Sequence, residues 1–193
     1  MIELVFATNN INKIREIELL LPSFFKIKRL EDIGCTEELP ETHETIEENS
    51  LEKAEFVAHK YNVNCFAEDS GLEIDALNGN PGVHSAHYAG DRNADKNMDK
   101  VLQEMENNDD RNANFKTVIT LIIDKVQHQF VGTINGKIGK EKKGLYGFGY
   151  DPIFVLEDGR TMAELMLEEK SKISHRAKAT QQLIQFLKEN YSA

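Results

Sequence analysis

Ile2-Glu3-Leu4-Val5-Phe6-Ala7, followed by Thr8-Asn9-Asn10-Ile11-Asn12-Lys13, sets the fold class. Residues 2–7 are largely apolar with β-branched members and predict a buried first strand. Beyond the polar turn, Ile14, Ile17, Leu20 and Leu21 recur at helical spacing until Pro22 ends the pattern. A strand feeding a helix through a polar turn points to an α/β protein. Further out, Phe25–Leu30 alternates like an edge strand. Thr45-Ile46-Glu47-Glu48 matches a capping box that opens a helix to about Tyr61. Val63-Asn64-Cys65-Phe66 reads as a strand end and residues 72–77 as another strand, with a turn cluster at 78–82. A helix is expected over 91–105, and residues 113–124 and 127–138 form a hairpin about Lys125-Val126. Ile153-Phe154-Val155 is a short strand, and the last helix ends near Asn190. Strands and helices mix without strict strand–helix–strand alternation, so the expected class is mixed α/β.

The chain has 193 residues, 40% of them apolar, enough for one domain with a real core. Its 23 basic and 33 acidic residues give a net charge of −10. That balance argues against a nucleic-acid polymer as partner, since phosphate backbones need basic surface. A small anionic substrate stays open where local cations gather. Cys35 and Cys65 have no framework or metal-ligand spacing and read as thiols of a reducing compartment. The N-terminus reads as a strand rather than a signal peptide, and no apolar run approaches a membrane span. The expectation is a soluble cytoplasmic protein.

Chemistry concentrates in Ala67-Glu68-Asp69-Ser70-Gly71. Alternation along a strand would send Glu68 and Asp69 to opposite faces unless the backbone turns, which Gly71 permits. One carboxylate then holds a divalent cation while the other handles a water. An acidic turn is the commoner fate of such a sequence. Thr8 to Lys13 sits where free backbone N–H groups attract anions, or where Asn and Thr simply cap a helix. The acidic loop from Glu38 to Glu48 is a solvated face or a source of one more cation ligand. The loop Gly147-Phe148-Gly149-Tyr150-Asp151-Pro152 either offers Phe148 to a planar ring or buries it. Ser174-His175-Arg176 opens the last helix, with Lys170 shortly before it. These groups are donors apart from His175. They suit a purine carrying a keto oxygen at C6 and penalise adenine. His43, His59, His84, His87 and His128 show no zinc spacing.

In combination these stretches resemble the inosine/xanthosine triphosphate pyrophosphatase family. The landmarks run in order over almost the whole chain. They are Ala7-Thr8-Asn9-Asn10 with Lys13, Glu48-Asn49-Ser50-Leu51-Glu52-Lys53-Ala54, Glu68-Asp69-Ser70-Gly71-Leu72, and Asn78-Gly79-Asn80-Pro81-Gly82-Val83 with Ser85-Ala86. The last are Gly147 to Pro152, and Glu168-Glu169-Lys170-Ser171 with Ile173 to Arg176. The resemblance implies an elongated two-lobed fold around a long mixed sheet, a substrate cleft between lobes, magnesium dependence and usually a homodimer. It implies a small-molecule nucleoside triphosphate as partner, cleaved to monophosphate and pyrophosphate, with ITP, dITP and XTP as substrates.

Residue by residue, it assigns the triphosphate to Thr8, Asn9, Asn10, Ile11, Asn12, Lys13 and Lys53. It makes Asp69 the general base and Glu41, Glu68 and Asp69 the magnesium environment. Ser70 falls in the substrate pocket. Phe148 stacks on the base, and Gly149, Tyr150, Asp151, Lys170, His175 and Arg176 shape and read it. The chain departs from the commonest bacterial pattern at Asn9 and Glu68, which replace a frequent glycine and aspartate. His43, His84 and His87 stand for a usual glycine, tyrosine and arginine. Another nucleotide hydrolase, such as a pyrimidine-directed pyrophosphatase or a phosphatase releasing orthophosphate, and a non-catalytic nucleotide sensor are the alternatives.

Overall fold

Alternation along the first strand places a core on each side of it. In the computed structural model, which describes residues 1–191, β1 spans Ile2–Ala7. Leu4 and Phe6 join one buried cluster while Val5 and Ala7 join another. A strand buried on both faces must be covered by helices on both. α1 (Ile11–Glu18) contributes Ile14 and Ile17 to the first cluster. α2 (Ile46–Tyr61) contributes Ala54, Val57 and Ala58 to the second. The chain divides into two compact units. Among the described residues, the first holds 1–69, 117–132 and 175–191; the second holds 70–116 and 133–174.

In the first unit, β2 (Phe25–Lys28) pairs parallel to β1 in the register Ile2↔Phe25. β3 (Cys65–Ile74) pairs parallel to β1 on its other edge, Val5↔Cys65 to Ala7↔Ala67. The Phe6 and Phe66 rings stack there with centroids 4.5 Å apart. β5 (Asn112–Ile123) and β6 (Val126–Ile138) follow, giving the order β2-β1-β3-β5-β6. The last helix, α5 (His175–Tyr191), packs Ala179, Leu183 and Leu187 beside α1. The chain leaves β1 through α1 on one face and enters β3 through α2 on the other. The carboxyl end of β1, beside the Ala67–Asp69 stretch of β3, therefore lies at a switch of winding, the usual ligand position in parallel sheets.

In the second unit, β4 (Pro81–Gly82) pairs antiparallel to β3, and β7 (Phe154–Val155) antiparallel to β6. With α3 (Ala94–Glu104) and α4 (Leu167–Ile173), these surround a core of Leu72, Ile74, Met98, Val101, Phe115, Ile138 and Phe154. β3, β5 and β6 contribute residues to both units. Parallel and antiparallel pairs together make the sheet mixed, as the sequence predicted.

Residues 72–77 are not a separate strand but the end of β3 followed by a 3-10 turn at Asp75–Leu77, and three further local expectations need correction. The chain does not turn at Gly71: β3 is continuous for ten residues. Sheet pairing holds it on either side, to β1 at Ala67 and to β4 from Leu72, so the glycine has no turn to make. α1 stops at Glu18, not Leu21, because Leu20 N–H donates to Ile17 and Leu21 N–H to Glu18, the tighter bonds that close a helix. The hairpin turns on Asp124 and Lys125, one residue earlier than read. Both have positive φ, 51° and 66°, which matches the twist of the flanking strands. No helix among the described residues is long and apolar enough to cross a membrane.

Candidate active site

The parity that divides the core also divides the carboxylates. Phe66 shares its face with α1 and α5, and Glu68 continues that parity. Cys65 and Ala67 share theirs with α2, and Asp69 continues it. Glu68 therefore meets Lys13 and Arg176, whereas Asp69 meets Lys53.

On the α2 side, Lys53 Nζ donates to Asp69 Oδ1 and to Glu41 Oε1, both at 2.7 Å. Lys53 is only 3% exposed. Its burial would depress its pKa, but the Asp69 and Glu41 carboxylates outweigh that and raise it, so the ammonium stays charged. Burial raises the pKa of Asp69, and Lys53 only partly offsets this. The cluster is thus two carboxylates on one ammonium, with the buried one a better proton acceptor than a solvated aspartate.

On the α1 side, Arg176 donates through Nε to Glu68 Oε2 at 2.7 Å and through Nη2 to Glu68 Oε1 at 3.0 Å. Its Nη1 donates to Glu16 Oε2 at 2.5 Å, and Lys13 Nζ lies 2.9 Å from Glu68 Oε1. Two carboxylates face two cations in a nearly dry setting. Burial would raise the pKa of Glu68, yet Arg176 and Lys13 drive it well below the ordinary carboxylate range. The same carboxylates drive Arg176 above its usual value against its burial.

α1 begins on this side. Asn10 caps it, its Oδ1 accepting from Asn12 N at 3.0 Å and Lys13 N at 3.3 Å, while Thr8 Oγ1 accepts from Asn10 N at 3.2 Å. The backbone donors of Asn10, Asn12 and Lys13 are thus taken by the cap. Thr8 is buried, Asn10, Asn12 and Lys13 are half-buried, and Asn9 and Ile11 are exposed.

In the second unit, Lys170 Nζ lies 2.6 Å from Asp151 Oδ2 and 4.9 Å from the Phe148 ring centre. Asp151 Oδ2 also accepts from Phe148 N at 2.8 Å, closing the loop on itself. Gly147 makes this possible: with φ +75°, a Cβ there would stand 2.1 Å from Asp151 Oδ2. Tyr150 donates its hydroxyl to Ser85 O at 2.8 Å. Gly149 has φ +63°, and Ser70 is half-buried.

The sequence-predicted residues are therefore gathered in groups, with two corrections. Arg176, expected to aim at a purine edge, is 2% exposed and turns its guanidinium to Glu68 and Glu16. Of the three expected cation ligands, Glu41 and Asp69 come together, but Glu68 points to the other face of β3 and is held bidentate by Arg176. Among the described residues no group of three His, Cys, Asp or Glu side chains is arranged to hold a metal. His175 is buried at the start of α5, where Gly132 gives it room: a Cβ on Gly132 would lie 2.0 Å from His175 O. Sequence reading missed Glu16. Its signal was its place one turn after Lys13, on the buried side of α1.

A switch of winding beside paired carboxylates and a buried lysine defines the chain as a mixed α/β protein with its ionisable groups gathered where parallel sheets take ligands. Comparison with known proteins makes this specific. The chain belongs to the Ham1 family, whose model matches residues 4–186. It is 55% identical over 187 residues to a Flavobacterium johnsoniae protein named dITP/XTP pyrophosphatase, covering 96% of this chain and 97% of that one. A Bacillus subtilis protein of the same name is 46% identical, with 97% and 98% covered. Among solved structures, the Staphylococcus aureus Ham1 protein superposes with a TM-score of 0.89 at 39% identity, covering 97% of this chain and 99% of that one. A HAM1 protein from Coxiella burnetii gives 0.91 at 38%, covering 98% and 100%.

Proposed function

We propose that this chain hydrolyses non-standard purine nucleoside triphosphates, dITP, XTP and ITP, to the monophosphate and pyrophosphate. Relatives at 55% and 46% identity over nearly the whole chain carry the name dITP/XTP pyrophosphatase, which supports the substrate class. The observation that carries the chemistry is Asp69 on Lys53. A buried carboxylate with a raised pKa accepts a proton from water, and the lysine beside it stabilises charge building on the leaving pyrophosphate. Water attacks the α-phosphorus, the bond to the bridging oxygen of the β-phosphate breaks, and Asp69 takes the water's proton. Lys13 and the Thr8–Asn12 turn are assigned to the phosphates. Phe148, Gly149, Tyr150, Asp151, Lys170 and His175 are assigned to the base, and Ser70 to the substrate pocket.

Glu41 and Asp69, drawn to one ammonium, are the carboxylates that would hold a magnesium ion, which takes oxygen ligands from one or two carboxylates plus substrate phosphates. When bound, it would supply charge neutralisation on the phosphates and a more acidic water. A second copy of the chain as partner and a cytoplasmic setting complete the reading. Cys35 and Cys65, both buried thiols, suit a reducing compartment.

The test is pyrophosphate release from XTP, dITP, ITP and the four standard triphosphates, each with and without magnesium. Metal-dependent release confined to the keto-purine set is expected. Equal release from all would discard the base assignment. Tight XTP binding without release would overturn the enzyme in favour of a sensor.

A further inference from the structure

Glu41 reaches Lys53 from an irregular, exposed loop, yet its neighbours on that loop are held from below by α2. Asn49 is 3% exposed, and its side-chain amide brackets His43: Oδ1 accepts from His43 N at 2.9 Å, and Nδ2 donates to His43 O at 3.0 Å. Glu52 brackets Thr42: Oε2 accepts from Thr42 N at 2.9 Å, and Oε1 accepts from Thr42 Oγ1 at 2.8 Å. Asn49, Glu52 and Lys53 stand at helical spacing, so one face of α2 carries both clamps and the lysine that Glu41 meets. Neither clamp touches Asp69 or Lys53 in these bonds. Their four bonds go to the two residues that follow Glu41.

We propose that Asn49 and Glu52 are positioning residues whose role is to hold Glu41 on Lys53, and the proposal rests on the pyrophosphatase reading above. A loop residue free to wander must be ordered each time it acts, and that ordering costs conformational entropy. The bracketed backbone has met the cost before a ligand arrives. A buried amide that satisfies both N–H and C=O of one residue fixes its peptide planes as a sheet neighbour would. Outer partners of this kind act through the groups they orient rather than on the reacting atoms.

The test uses the full chain and two readouts, pyrophosphate release from XTP and amide hydrogen exchange over residues 40–44. Asn49→Ala is expected to lower kcat/KM about 10- to 100-fold, the range found for outer-shell partners. Glu52→Ala lowers it in the same direction, and Glu52→Gln, which keeps an acceptor for Thr42 N–H, restores most of it. Both alanine variants speed exchange at Thr42 and His43, whereas Glu41→Gln leaves His43 protected. In a Glu41→Gln background, Asn49→Ala adds less than about a twofold loss, since a residue acting only through Glu41 has nothing left to act on. Should Asn49→Ala not fold, Thr42→Val, which removes the Thr42 hydroxyl bond to Glu52, tests the other clamp in the same Glu41→Gln background. Fully additive losses, or unchanged exchange in both alanine variants, overturn the proposal. A wild-type chain that releases no pyrophosphate overturns the activity reading itself and the proposal with it, and that outcome is told apart by the wild type alone.

Discussion

Removing Arg176 should destabilise the first unit in a pH-dependent way. Arg176→Met keeps much of the aliphatic volume and deletes the guanidinium that bonds both oxygens of Glu68 and one of Glu16. Glu68, whose side chain is fully buried, keeps Lys13 at 2.9 Å, but a single partner does not replace a bidentate one. The three charge-assisted bonds would suggest a loss of roughly 5–9 kcal/mol if taken at face value. A buried carboxylate has an escape, which is to take up a proton. From the ordinary Glu value of 4.5 to pH 7, that costs about 3.4 kcal/mol, at about 1.36 kcal/mol per pH unit.

Protonation therefore caps the loss for one carboxylate at about 3–4 kcal/mol. That agrees with the roughly 3–5 kcal/mol found on breaking buried pairs. The melting temperature should fall by about 6–16 °C at pH 7 for a chain of this size. The sign follows from Glu68. Its folded pKa is depressed, so its stabilisation is present above about pH 4.5 and fades as pH falls below it. In the variant the protonation cost shrinks with falling pH, to about 0.7 kcal/mol at pH 5. Calorimetry of wild type and Arg176→Met from pH 7 to pH 5 should show the gap narrowing. A gap that stays constant, or a shift under about 2 °C at pH 7, would refute the charge argument.

Asp69→Asn should lower turnover by about 10²–10⁴-fold while leaving the melting temperature close to wild type, and unaltered release of pyrophosphate would remove Asp69 as the base. Because burial raises the Asp69 pKa from 3.8, the acid limb of the wild-type pH profile should lie above that value; a limb below it would contradict the geometry. Gly147→Ala should push Asp151 away from Lys170, raising the KM for XTP more than it lowers kcat, and steady-state kinetics on XTP would check it. Thr45→Ala removes the acceptor for Glu48 N–H at the start of α2 and should cost about 1 kcal/mol in urea unfolding, with no change in KM.

The boundaries of β1, α2 and α5 were legible because their signals are local. A β-branched run, a Thr cap with its Glu and a long helical period each fix one element without help from the rest. The cap at Thr45 formed, though Glu48 bonds the Thr45 hydroxyl at 2.8 Å instead of closing a reciprocal box. What could not be read depended on partners far along the chain. Glu68 and Asp69 were recognised as chemistry-bearing, but their opposite destinations require knowing that β3 continues past Gly71, which pairing to β1 and β4 decides. Arg176 lies 108 residues from Glu68, and no local pattern reports that ion pair. Glu16 was passed over because a carboxylate among Ile14 and Ile17 looks like surface until its arginine is known.

The unbroken β3 makes the site a matter of counting. Side chains change face at every residue, so one residue inserted or lost between Cys65 and Glu68 would hand the Arg176 partner to Lys53 and turn the Lys53 partner toward Arg176. No side-chain adjustment undoes such a slip, since the whole face moves together. Length changes should therefore accumulate in exposed connections such as Asn107–Asp110, whereas the spacing from the β1 contact at Ala67 to Asp69 is held fixed.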